Sequence, residues 1–72
     1  MDVRSRFGAR VRKLREAKGL SQEAFAFASD IDRTYVSGVE RGVRNPTITV
    51  AEKFAKGLCV PLKTLFTDDP VG

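Results

Sequence analysis

The stretch DRTYVSGVERGVRNP, residues 32–46, holds four side chains with which a helix could recognise another molecule: Arg33, Thr34, Ser37 and Arg41. In a helix these four side chains share an arc of roughly 100°. Arginine can bond two acceptors of a guanine, and serine or threonine can bond base edges or contact a thymine methyl group. A helix that presents this set could therefore read base pairs in the major groove of B-DNA.

The same residues could also be the solvated polar face of an ordinary surface helix. Val36 and Val39 fall opposite the polar arc, where they would seat the helix on a core, and Tyr35 falls at the border. Gly38 removes a side chain at the edge of the arc, at a cost of about 1 kcal/mol in helix propensity against alanine. Taken alone, such a helix is more often a solvated surface helix; its place after a capped helix and a turn of about four residues, the helix-turn-helix arrangement, favours recognition of DNA.

Short helices are the elements that would position this stretch. Phe7, Val11 and Leu14 recur at helical spacing, which predicts an amphipathic first helix that ends at Gly19. Ser21 is a suitable N-cap for a second helix over SQEAFAFAS. A turn of about four residues would separate this helix from the third.

The remaining helices follow the same signals. Asp32 is a strong N-cap for the third helix, and Gly42 would end it. Thr47 would cap a fourth helix, and Pro61 permits a short fifth helix over LKTLF. No segment alternates with period two over the length of a strand. The sequence therefore predicts an all-α fold of five short helices.

Length and composition predict one small globular domain over residues 1–67, followed by a short acidic tail over 68–72 with Asp68 and Asp69. No apolar run reaches the roughly 18 residues of a membrane span, and MDVRSRFGAR lacks the apolar segment of a signal peptide. The one cysteine, Cys59, excludes an internal disulfide, and its apolar context predicts a small core residue. We expect a soluble protein of the reducing cytoplasm.

The charge favours a polyanionic partner, either nucleic acid or an anionic membrane surface. The 72 residues include 13 lysines and arginines against 9 aspartates and glutamates, for a net charge of +4. Catalysis is disfavoured, because the chain has no histidine, no cysteine paired with a base and no glycine-rich phosphate loop. We expect no enzyme activity, no metal, no cofactor, no membrane partner and no small-molecule ligand.

The segment LSQEAFAFASDIDRTYVSGVERGVRNP resembles the helix-turn-helix core of the phage-repressor/Cro family, also called the xenobiotic-response-element family. The likeness runs from about Phe7 to Phe66. Within that family, DRTYVSGVERGVRNPT is most similar to the controller proteins of restriction–modification systems, which are small dimeric regulators of their own promoter. The resemblance implies a five-helix, lambda-repressor-like DNA-binding domain whose second and third helices form the helix-turn-helix.

The resemblance also implies roles for the matching residues. The residues expected to read bases are Arg33, Thr34 and Ser37. Those expected at the DNA backbone or the edge of the groove are Gln22, Tyr35, Arg41, Arg44 and Asn45. An ion pair between the first and third helices would join Arg15 and Glu40. A dimer interface near the fourth and fifth helices would use residues that could equally be ordinary core: Ile48, Val50, Leu62 and Leu65.

Three residues depart from the family pattern. Asp30 stands at the turn position that is commonly glycine, and aspartate is among the better substitutes there. Cys59 stands where the family often has the glycine that ends the fourth helix. Phe27 lies at a position of the second helix that is often polar, so it is either an interface residue or a scattered apolar side chain.

These observations predict a sequence-specific, DNA-binding transcriptional regulator that acts as a homodimer on a pseudo-palindromic operator. It would be a restriction–modification controller protein or a generic short regulator of the same family. The alternative hypothesis is a protein-interaction module or an antitoxin with the same fold, which Phe27 and the apolar fifth helix support. RNA binding is less favoured, since no aromatic pair forms a platform for stacking bases.

Overall fold

The computed structural model describes residues 2–66, so the predicted acidic tail, with Asp68 and Asp69, lies outside the described residues. Within that range the chain is all-helical and has no strand, which confirms the predicted class. The elements are α1 (Val3–Ala17), α2 (Gln22–Ser29), α3 (Arg33–Glu40), α4 (Ile48–Leu58) and a 3-10 helix (Leu62–Phe66). None of these described helices is long and apolar enough to cross a bilayer.

Side-chain caps begin α2, α3 and α4 at the residues that the sequence predicts. Ser21, Asp32 and Thr47 each accept a hydrogen bond from a backbone N–H two or three residues further on, at 3.0, 2.7 and 3.2 Å. Each bond satisfies one of the N–H groups that a helix leaves unpaired in its first turn. The start of the polar third helix is therefore set locally, by Asp32.

Four residues in the left-handed region end the α-helices. Gly19 and Gly42 have φ values of 72° and 80°, and they follow α1 and α3 as predicted. Asp30 and Cys59 both have φ of 58°, and they cap the ends of α2 and α4. Residues with a Cβ atom thus occupy two positions at which the backbone favours glycine.

The prediction that Cys59 is a small core residue is wrong, because its side chain is exposed. The preceding residue, Leu58, is fully buried and ends the apolar stripe of α4. Cys59 then ends α4 in the left-handed conformation, and its N–H donates to Lys56 O.

The core lies between two pairs of helices. Between α2 and α4, the rings of Phe25 and Phe54 pack with their centroids 5.2 Å apart. Between α1 and α3 the backbones approach closely at Gly8, because a Cβ atom there would collide with the carbonyl oxygens of Val39 and Glu40. Close approach at a glycine holds α3 firmly against α1.

The predicted fifth helix is a 3-10 helix of five residues, which suits so short a segment. It closes the core with Leu65, which is 2% exposed. Ile48, which could have been ordinary core, is 78% exposed. Ile48 is the first residue of α4 and lies beyond the edge of the core.

Candidate nucleic-acid interface

The third helix separates apolar and polar side chains as its sequence predicts. Val36 and Val39 are fully buried. On the polar face, Arg33, Thr34 and Arg41 are exposed and Ser37 is partly exposed. Within residues 2–66 the side chains of these four make no hydrogen bond or ion pair. The structure thus brings the predicted base-reading residues onto one surface, with their donors directed to solvent.

The structure also joins Arg15 and Glu40, beneath this surface. Arg15 Nε donates to Glu40 Oε2 at 2.7 Å, and Arg15 donates a second bond to Oε1 at 3.0 Å. The Glu40 side chain is 2% exposed and that of Arg15 10%. Hydrogen bonding to the carboxylate raises the pKa of Arg15 above its ordinary value, so the guanidinium stays charged. The pair ties the end of α3 to α1.

Gln22 belongs to the same buried network, which the sequence did not predict. Its Nε2 donates to Glu40 Oε1 at 3.1 Å, and Arg15 donates to the backbone oxygen of Leu20 at 2.8 Å. Gln22 was expected to contact a phosphate from the start of α2. It retains a second N–H on Nε2 and its amide oxygen for such a contact, while the first N–H orients the side chain.

Arg44 lies across α3 in a way that sequence reasoning missed. Its guanidinium carbon stands 5.2 Å from the centre of the Tyr35 ring, within the range of a cation–π contact. Its stem passes over Gly38, where an added Cβ atom would stand 2.6 Å from Arg44 Cγ. The prediction that Gly38 narrows the polar face is therefore incomplete, because the Arg44 side chain packs directly over this glycine.

Arg44 and Asn45 follow α3 in a loop, and both are exposed. The start of the loop is bonded to the end of α3, since Val43 N and Arg44 N both donate to Gly38 O, at 3.0 and 3.2 Å. Gly42 lies against α1, where an added Cβ atom would stand 2.7 Å from Ser5 Oγ. Of the two loop residues predicted to contact the DNA backbone, Arg44 therefore lies against α3, whereas Asn45 lines a cleft with Ile48 and Phe66.

The predicted dimer-interface residues divide into two groups. Ile48 is exposed, and Val50 and Leu62 are partly buried against the core. Leu65 is buried within the chain, so it is a core residue and offers no direct contact to a partner. Val3 and Phe66, which the sequence did not single out, are 73% and 61% exposed and line one apolar cleft with Ile48.

Two further features bear on function. Phe27, near the C-terminal end of α2, is 89% exposed. Across residues 2–66, no acidic or cysteine side chains gather in a group that could hold a metal ion.

A family model described as helix-turn-helix matches residues 11–65. Among known proteins, the control protein C.MunI of a Mycoplasma species is 47% identical over 68 residues, which cover 93% of this chain and 92% of that protein. The crystal structure of the restriction–modification controller protein C.AhdI from Aeromonas hydrophila superposes with a TM-score of 0.85 at 52% identity. That match covers 86% of this chain and 94% of the other.

A third similar protein is the controller C.Esp1396I, whose structure as a tetramer in complex with its natural 35 base-pair operator has a TM-score of 0.81 at 44% identity. It covers 86% of this chain and 82% of the other. Further structures of C.Esp1396I carry single substitutions at an arginine, a threonine and a tyrosine that are consecutive in its sequence. In this chain Arg-Thr-Tyr occurs once, at residues 33–35. These relatives are transcription regulators, and no family of enzymes is among the matches.

Proposed function

Since this chain belongs to the helix-turn-helix family, with restriction–modification controller proteins among its relatives, we propose that α2 and α3 form its helix-turn-helix. The protein is a DNA-binding transcriptional regulator. With the 3-10 helix counted as the fifth helix, the domain has the lambda-repressor-like arrangement. Double-stranded DNA is its partner, and α3 enters the major groove.

The observation that carries this proposal is the polar face of α3. Arg33, Thr34 and Ser37 point to solvent with no partner among residues 2–66, while Val36 and Val39 hold the helix from behind. Unpaired donors on a rigid helix are suited to base edges, because the helix arrives already oriented. Arg33, Thr34 and Ser37 read bases, with Tyr35 and Arg41 at the edge of the groove.

The flanking residues would contact the DNA backbone. Arg44 and Asn45 reach phosphates from the loop after α3, and Gln22 reaches one from the start of α2. Phosphate contacts supply most of the affinity and position the protein, so binding should weaken steeply as salt rises. The network of Arg15 and Glu40 lies behind these residues and orients them.

The regulator acts as a homodimer in this proposal. Ile48, Val3 and Phe66 form an exposed apolar surface, with Val50 and Leu62 partly exposed beside it. Burying such a surface between two copies would add stability to a domain of 72 residues. Two-fold symmetry would then place two α3 helices in successive major grooves, roughly 34 Å apart.

Selection of bound sequences from a random DNA pool, at physiological salt, tests the function. We expect a two-fold symmetric consensus whose half-sites lie about one helical turn apart. Its presence upstream of the protein's own gene would support the controller role against that of a generic regulator. Absence of any enriched sequence, with the protein folded, would contradict DNA recognition. A consensus without symmetry would contradict the dimer.

Phe27 supports a second candidate, a protein-interaction module or antitoxin. Its ring is almost entirely exposed, and aromatic residues are enriched at protein interfaces. The polar face of α3 argues for DNA, since the centre of a protein interface is usually depleted in charged side chains. A stable complex with another protein, combined with failure to enrich any DNA sequence, would favour this candidate.

A further inference from the structure

We propose that Gly38 is a positioning residue, whose lack of a side chain lets Arg44 cross α3 and lie on the Tyr35 ring. The inference rests on the proposed function, because it concerns how one DNA-backbone contact is prepared. The stem of Arg44 covers Gly38, and its guanidinium carbon stands 5.2 Å from the centre of the ring. Gly38 is buried by this contact, although it lies on a helix at the surface.

The surroundings of Gly38 indicate that the glycine serves Arg44 and not the fold. The three atoms nearest to an added Cβ all belong to the Arg44 side chain, at 2.6, 3.4 and 3.5 Å. At Gly8, by contrast, the nearest atoms are backbone atoms of Val39 and Glu40. A side chain can swing aside where a backbone cannot, so alanine at 38 would displace Arg44 and leave α3 in place.

The arrangement matters because Arg44 is long and exposed. A free arginine side chain loses much rotational freedom when it is held against a phosphate. Here the gap left by Gly38 and the face of the Tyr35 ring already restrict the Arg44 side chain in the free protein. The guanidinium still has N–H donors for a phosphate. Gly38 thereby lowers the entropy lost on binding, without touching DNA itself.

The first experiment needs no DNA. The Arg44 guanidinium carbon stands 5.2 Å from the centre of the Tyr35 ring, so the ring current of Tyr35 should shift the Arg44 side-chain protons upfield in NMR spectra. Gly38→Ala should return these protons to ordinary arginine shifts and leave the backbone spectrum elsewhere unchanged. Its melting temperature should be retained or raised, because alanine is about 1 kcal/mol more favourable than glycine in a helix. Gly8→Ala is the matched control, and it should lower the melting temperature, because the backbones of α1 and α3 would have to separate.

The second experiment measures DNA binding in a double-mutant cycle. Gly38→Ala should weaken binding about 3- to 10-fold, to the same extent on cognate and random DNA. The salt dependence should stay unchanged, since the charge of Arg44 remains. Arg44→Ala should instead lower the slope of log affinity against log salt by about 0.9. Adding Gly38→Ala to Arg44→Ala should cause no further loss.

Several outcomes would overturn the inference. One is a wild-type spectrum without the upfield shift. Another is a Gly38→Ala variant that binds as tightly as wild type, or that weakens binding equally in the Arg44→Ala background. Unfolding of Gly38→Ala in both backgrounds would show that the glycine serves packing. If the wild type binds no DNA while the ring-current shift is present, the proposed function fails and the side-chain arrangement stands.

Discussion

The third helix carries two groups of polar side chains that differ in burial and in hydrogen bonding. Glu40, at its C-terminal end, is buried and accepts bonds from Arg15 and Gln22. The side chains of Arg33 and Thr34, at its N-terminal end, are exposed and have no hydrogen-bond or ion-pair partner within residues 2–66. A buried charge destabilises the fold unless it is paired and hydrogen-bonded within the protein. A side chain that recognises DNA needs donors that are not already bonded within the protein.

The difference assigns separate tasks to the two ends of one helix. The buried group holds α3 against α1 and α2, so disturbing it should change stability first and DNA binding as a consequence. The exposed group should change DNA binding alone. Glu40→Ala and Arg33→Ala should separate the two tasks.

Glu40→Ala should have the largest effect. It leaves the Arg15 guanidinium buried without its carboxylate, which should lower the free energy of unfolding by about 3–5 kcal/mol. Urea denaturation monitored by circular dichroism measures this change. The control is Glu16→Ala, whose carboxylate pairs with Arg12 at 3.1 Å on the exposed side of α1. It should cost less than about 1 kcal/mol, and similar losses for both variants would break the comparison.

Arg33→Ala should weaken binding to the selected DNA by about 1–3 kcal/mol and leave random DNA little affected. Its unfolding free energy should stay within about 0.5 kcal/mol of wild type, because the side chain has no partner to lose. Arg44→Ala is the matched variant and should weaken both kinds of DNA evenly. Titration of fluorescent duplexes decides, and equal losses on both duplexes for Arg33→Ala would remove its assigned role in base reading.

Ser29→Ala should give a smaller effect of the opposite sign. The Ser29 hydroxyl is buried between α2 and α4 and has no hydrogen-bond partner among the described residues. Removing the hydroxyl should raise the free energy of unfolding by about 1 kcal/mol, because burying a hydroxyl without a hydrogen-bond partner is unfavourable and alanine has none to bury. Ser37→Ala, on the partly exposed face, should leave stability nearly unchanged. A destabilised Ser29→Ala would mean that burial of a polar group helps here even without a partner.

Asp2 should show the smallest effect, as an exposed carboxylate that is nevertheless bonded. The backbone N–H of Ser5 donates to it at 2.8 Å, and this bond lowers its pKa below the ordinary 3.8. Its contribution to α1 is therefore present above pH 3.8 and is lost as the pH falls through the lower folded pKa. The melting temperatures of wild type and Asp2→Asn, plotted against pH, should differ in slope only in that acidic range. Parallel curves would contradict the cap.

The parts of the fold that sequence predicts well are those set by neighbours along the chain. The caps at Ser21, Asp32 and Thr47 depend on a side chain and an N–H within three residues, so local pattern is sufficient. The burial of Val36 and Val39 follows from helical spacing alone.

The parts that sequence misses depend on contacts between distant segments. From the sequence, Gly38 only removes a side chain from the polar face of α3. Its contact with Arg44 is visible only in the folded structure. Cys59 has apolar neighbours, yet the backbone turns left-handed at that residue and exposes it. Leu65 and Ile48 look alike as interface candidates, and only the packing of the 3-10 helix separates one as core from the other as surface.

The exposed position of Cys59 has a chemical consequence. It is the single thiol of the chain, and an accessible thiol can be oxidised to join two molecules covalently. Such a linked pair would have the mass of a dimer without any interface at Ile48 or Phe66. A reducing buffer, or Cys59→Ser, therefore separates true self-association from cross-linking, and the same thiol accepts a single maleimide dye at the end of α4.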